Sequence, residues 1–169
     1  MPTQVLTTTA LVIAVFIFAI GRQVLPRRPS RLMFLAMPIL GLVEAYDSMP
    51  HHYVPAAQIA ECLVSAAVSA LAGYLQARAT RVYTGADGQV YMRGGWTYIS
   101  VWIALIVLRL LILIAFNGAQ AGVSLQSSEW ILWLDLAVVW GTRSALLFAR
   151  HPEIRAQFAS DRAARRSSR

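Results

Sequence analysis

Six ionisable side chains stand inside long apolar runs of this chain: Glu44, Asp47, Glu61, Asp135, Arg109 and Arg143. A charged group in an apolar medium is expensive, so each is a candidate for function. Four carboxyls gathered around Arg109 would leave a large net negative charge, and like charges in low dielectric do not all stay ionised. At least one carboxyl is therefore expected to keep its proton at neutral pH. A buried, neutral carboxylic acid is a proton donor. Glu61 is the first choice for that catalytic role and Asp47 the next, with Glu44 and Asp135 completing the set. The alternative is an ion-pair network that fixes helix packing, Asp135 with Arg143 and Glu61 with Arg109.

Aromatic rings accompany the acids. Tyr98, Trp102, Arg109 and Phe116 are spaced 4, 7 and 7 residues apart, which puts them on one helical face. Trp130, Trp133 and Trp140 share another face, and Tyr46 lies between Glu44 and Asp47. Trp96 and Trp130 fit an interfacial belt. The expected substrate wall is Tyr46, Tyr98, Trp102, Arg109, Trp133, Trp140 and Arg143, with ordinary core packing as the alternative for each ring. Ring faces attract cations. An acid that protonates an alkene or epoxide, with π faces around the resulting carbocation, is equipment for polyene cyclisation.

The elements that must hold these residues are membrane helices. The chain has 169 residues, 57% hydrophobic and 14% charged, with a mean hydropathy of +0.55. Those values belong to the membrane class. Runs of the length a span needs fall at about 4–21, 32–49, 55–76, 96–117 and 129–149. The expected fold is all-α: an integral membrane bundle of five transmembrane helices over 1–150, followed by a basic cytoplasmic tail, 151–169. The first run has no basic residue before its apolar core and no cleavage pattern, so it reads as a retained span.

All 15 basic residues are arginine. Arg22, Arg27, Arg28 and Arg31 fall in one connection, Arg78, Arg81 and Arg93 in another, and Arg150, Arg155, Arg162, Arg165, Arg166 and Arg169 in the tail. Five spans put these segments on one side, so the N-terminus is expected outside and the C-terminus in the cytoplasm of a multi-pass cell-membrane protein. Anionic lipid suits such a fringe, and nucleic acid is not needed to explain it. In "TRVYTGADGQVYMRGG" the Asp-Gly pair between two short β-prone runs predicts a cytoplasmic hairpin. "RAARRSSR" reads as a disordered, lipid-facing end.

Depth follows from helical rise. Glu44 and Glu61 flank the turn near residue 52 at similar distances, with Asp47 one turn shallower on the face of Glu44. Asp135 lies roughly 9 Å below the outer end of its run and Arg109 roughly 12 Å below the end of its own. Arg143 is two turns deeper than Asp135. Cys62 is the only cysteine, which excludes an internal disulfide, CxxC chemistry and a multi-cysteine zinc site. His51 and His52 are adjacent and face opposite ways, so they fit a surface or proton-relay role, and no metal or cofactor is expected. DDxxD and DxDD are absent, so magnesium-assisted diphosphate ionisation is not indicated.

"YDSMPHH", "AECL", "TRVYTGADGQVYMRGG", "VWIALIVLR" and "WGTRSALLFAR" together resemble the CcdC-type small membrane proteins of actinobacteria, over about residues 40–150. A branch of similar proteins resembles the membrane-bound terpene cyclases that act on prenylated indoles in drimentine-type pathways. That resemblance implies a cyclase that protonates a lipid-soluble, farnesyl-indole-like prenyl substrate and works through carbocations. The broader family carries a cytochrome c biogenesis label, which implies instead a non-enzymatic assembly or transport factor. A single cysteine fits thiol chemistry poorly.

Overall fold

The computed structural model describes residues 26–50, 53–117 and 129–167. Within them the chain is mainly helical. Helix α1 runs Arg31–Asp47 and α2 runs Ala56–Ala79. A hairpin of β1 (Thr80–Thr84) and β2 (Val90–Gly94) follows. Helices α3 (Trp96–Asn117), α4 (Glu129–Arg150) and α5 (Pro152–Ser167) complete the order.

Helices α2, α3 and α4 are long and apolar enough to cross a membrane. The apolar side chains that α3 turns outward, among them Ile103, Val107, Leu110 and Ile114, are exposed, as lipid-facing residues are. Helix α1 has 17 residues, short of the ~20 that a span requires. It ends at Asp47, where Ser48 closes the last turn and Pro50 follows. The expected span at 4–21 lies outside the described residues. The described helices therefore support three spans rather than five.

Packing fixes the directions. Ser65 meets Asp135, and further along Gly73 meets Val139 and Thr142, so α2 and α4 run parallel. Glu61 meets Arg109 and Ala72 clusters with Tyr98 and Trp102, so α3 is antiparallel to α2. Helix α1 lies along α4 in the opposite sense, with Phe34 against Phe148 and Gly41 against Ala137 and Trp133. Helix α4 thus separates α1 from α2, although α1 and α2 are neighbours in sequence. Glycine permits the two close approaches. A methyl on Gly73 would stand 2.6 Å from the Val139 carbonyl oxygen, and one on Gly41 3.0 Å from that of Trp133.

The hairpin forms as expected, pairing Thr80 with Gly94 through Thr84 with Val90. Its turn uses Gly88 at φ 72°, the left-handed geometry that glycine tolerates. Arg27 bridges to β2 by exchanging backbone hydrogen bonds with Met92. The tail is a correction. The expected disordered end is helical through Ser167. Pro152 opens α5, with Glu153 in its first turn, and both favour a helix N-terminus. Ile154 and Phe158 bury against Phe34, Val90, Met92 and Leu147 and so roof the bundle at its arginine-bearing end.

Candidate functional site

Three helices converge on one buried charged centre. The Arg109 guanidinium on α3 donates from Nη1 to Glu61 Oε1 on α2 at 2.8 Å. Its Nε stands 3.3 Å from Asp135 Oδ2 on α4. Ser65, one turn beyond Glu61, donates its hydroxyl to the same Asp135 oxygen. Glu61 is 1% exposed and Asp135 5%, so both carboxyls are buried, while Arg109 is half-buried. The other oxygen of Asp135, Oδ1, is buried with no hydrogen-bond partner. Two carboxyls share one guanidinium.

The buried face of α2 is polar along much of its length. Glu61, Ser65, Ser69 and Gln76 are all buried. The Ser69 hydroxyl is buried without a hydrogen-bond partner. Gln76 leaves both amide atoms unpartnered. Tyr98 is 1% exposed, and its hydroxyl has no partner. The Arg143 guanidinium carbon lies 5.1 Å from the centre of the Tyr98 ring. Buried polar atoms without partners are rare, and here they line the seam between α2, α3 and α4.

No family model, curated protein or solved structure matches this chain.

Of the expected residues, Glu61, Asp135 and Arg109 come together. Tyr98 and Trp102 are buried on the same helix as Arg109. Trp133 and Trp140 are half-buried on α4. Glu44 is half-buried on α1, while Asp47 and Tyr46 are exposed. None of the hydrogen bonds and ion pairs that build the centre involves Glu44 or Asp47. Equal depth would bring Glu44 to the centre only if α1 packed against α2, and α4 intervenes. The Asp135–Arg143 pair also gives way, because Arg109 reaches Asp135 from the neighbouring helix and Arg143 turns to Tyr98.

Ser65, Ser69 and Gln76 are site residues that acid-and-aromatic reasoning passed over. Their signal was a polar residue every turn on one face of an apolar helix, at 61, 65 and 69. His51 and His52 lie outside the described residues. Among the described residues, no group of three His, Cys, Asp or Glu side chains is placed to hold a metal ion.

Proposed function

We propose that this chain is an integral membrane protein whose Glu61–Arg109–Asp135 centre is the general acid of a protonation-initiated terpene cyclase. Its substrate is a lipid-soluble, farnesyl-indole-like prenyl chain that enters from the bilayer. The observation that carries the reading is the sharing of one guanidinium by two buried carboxyls. One carboxyl is neutralised by Arg109, and the other is stable only with a proton or a bound cation. In this reading α2, α3 and α4 cross the membrane, with the C-terminus in the cytoplasm and the arginine-bearing end facing it.

The proton is assigned to Asp135, ahead of Glu61. Glu61 holds Arg109, and Ser65 fixes Asp135 Oδ2, so Oδ1 is the oxygen left to present an O–H to a substrate. That O–H gives its proton to a terminal alkene carbon or epoxide oxygen. Successive π pairs then close the rings, and the final cation loses a proton to water or to the carboxylate, restoring the acid. Trp102, buried on the helix that carries Arg109, supplies an aromatic wall. Tyr98 is less suited, because the Arg143 guanidinium covers one face of its ring.

A second reading, a membrane factor that passes protons or supports assembly, is favoured by the unpartnered polar atoms along α2. Purified protein incubated with farnesylated indoles, with products read by mass spectrometry and NMR, separates the two. Cyclised product from the wild type, abolished by Asp135→Asn and little changed by Asp47→Asn, is the expected result. Near-normal cyclisation by both Asp135→Asn and Glu61→Gln would rule out this acid. If the wild type consumes no prenyl substrate, the non-enzymatic reading replaces the first.

A further inference from the structure

A second site stands at the opposite end of the bundle, where α1 begins and α4 hands over to α5. A cavity of about 330 Å³ opens there between Arg31, Phe34, Phe148, Arg155, Phe158 and Arg162. Its floor is aromatic. Phe34 meets Phe148 and Phe158 edge-on with ring centres 5.5 and 5.8 Å apart, and Phe148 lies 5.4 Å from Phe158. Among the described residues its rim carries three guanidiniums and no carboxylate.

The arginines are positioned by neutral groups. Arg31 donates to the Phe158 carbonyl oxygen and lies over the Phe158 ring at 5.2 Å. Arg155 donates from Nε to the Phe148 carbonyl at 2.7 Å and from Nη2 to that of Ala149 at 3.2 Å. Arg162 is exposed one turn beyond Phe158. Residues 155, 158 and 162 share one face of α5 by their spacing. The ion pairs among the described residues occupy Arg28, Arg109 and His151, none of the three rim arginines. Their charge is therefore uncompensated by any carboxylate they touch.

An apolar floor under a cationic rim fits an amphiphile with an anionic head. The pocket also has a tail route. Leu35 borders the cavity, and Leu35, Ile39 and Leu42 are exposed along α1 at helical spacing. They form an apolar ladder leading away from the rim along the bundle. We infer that this cavity is a binding site for an anionic phospholipid, its phosphate held by Arg31, Arg155 and Arg162 and one acyl chain laid along Leu35, Ile39 and Leu42. Guanidinium groups match phosphate geometry and hold it through paired N–H donors. The inference requires membrane insertion only and is independent of any cyclase activity.

The test uses full-length protein in nanodiscs of phosphatidylglycerol or of phosphatidylcholine, transferred to detergent and weighed by native mass spectrometry. The wild type should retain phosphatidylglycerol and release phosphatidylcholine. Replacing Arg31, Arg155 and Arg162 together by Gln should lower retention by at least about tenfold, given roughly tenfold or less per interfacial arginine. Arg162→Gln alone, at an exposed position, should lower it partly with an unchanged melting temperature. Arg78→Gln, Arg81→Gln and Arg93→Gln together remove the same charge outside the cavity and should leave retention intact. Equal loss in the two triple variants would overturn the site in favour of a diffuse charged fringe. Stabilisation by inorganic phosphate equal to that by the lipid would overturn the amphiphile in favour of a free anion.

Discussion

Arg109 and Arg155 carry the same guanidinium into opposite surroundings. Arg109 stands midway along α3 with its N–H groups on Glu61 and Asp135. Arg155 stands on α5 and gives its N–H groups to the carbonyls that end α4. Deep in the bundle the Arg109 cation is matched by carboxylates, because removing ions from water costs several kcal/mol each. At the bundle end, helix-terminal carbonyls are acceptors enough, and the surplus charge remains available. The first arrangement depends on its one cation. The second leaves positive charge free for a headgroup.

The contrast breaks most visibly at Arg109. Arg109→Met strands Glu61 and Asp135 together without a cation, and a buried pair deprived of one partner loses about 3–5 kcal/mol. Thermal unfolding in detergent should show a large fall in midpoint. Glu61→Gln leaves the Arg109–Asp135 pair balanced and should cost far less. A near wild-type midpoint for Arg109→Met would mean that the centre is hydrated and that the burial argument fails.

Next in size is the joint between α2 and α4 that brings Ser65 to Asp135. Gly73→Val would drive a side chain into the Val139 carbonyl and Thr142, and overpacking of this kind costs about 1–3 kcal/mol. Its midpoint should fall, and because the joint sits two turns from Ser65, any activity the centre supports should fall with it. Gly141→Ala is the control: the nearest atom to an added methyl there is Pro38 Cβ at 3.9 Å, and little should change. Equal effects of the two substitutions would show that helix approach at Gly73 is not what aligns the site.

The comparison also explains what could be read in advance. Glu61 and Arg109 were legible because apolar run length fixes depth, and depth alone puts them at one level. Asp135 followed by the same arithmetic. Glu44 sits at an equivalent distance from its turn, yet joining the cluster depends on which helices touch. Sequence neighbours usually pack together, but here α4 lies between α1 and α2. The hairpin was legible from Asp87-Gly88, a local signal. Arginines predict disorder for "RAARRSSR", but the helix that starts at Pro152 and buries Ile154 and Phe158 continues through Ser167. The aromatic cavity lay beyond reach, since its walls come from α1, α4 and α5 and no local pattern joins them.

The smallest effect belongs to the hairpin tip, a third setting for arginine, exposed to water. Tyr91 donates its hydroxyl to Asp87 Oδ2 at 2.9 Å, the Gln89 backbone N–H reaches Oδ1 at 3.1 Å, and Arg28 donates to Oδ2 at 2.9 Å. These donors, Tyr91 foremost, hold the Asp87 carboxyl below its ordinary value of 3.8. A lowered carboxyl contributes stability that is fully present above its unfolded value and is lost as pH falls through the folded one. Acidification below about pH 4 should therefore loosen the tip, while neutral to basic pH should leave it unchanged. Exposed pairs contribute little, so the readout is local: the Gln89 amide resonance through an acid titration. Asp87→Asn keeps an acceptor for Gln89 but removes the titrating group, and its Gln89 resonance should stay flat over the same range. An identical transition in that variant would assign the acid sensitivity to another carboxyl, and the tip would then owe its shape to Gly88 and the strand register alone.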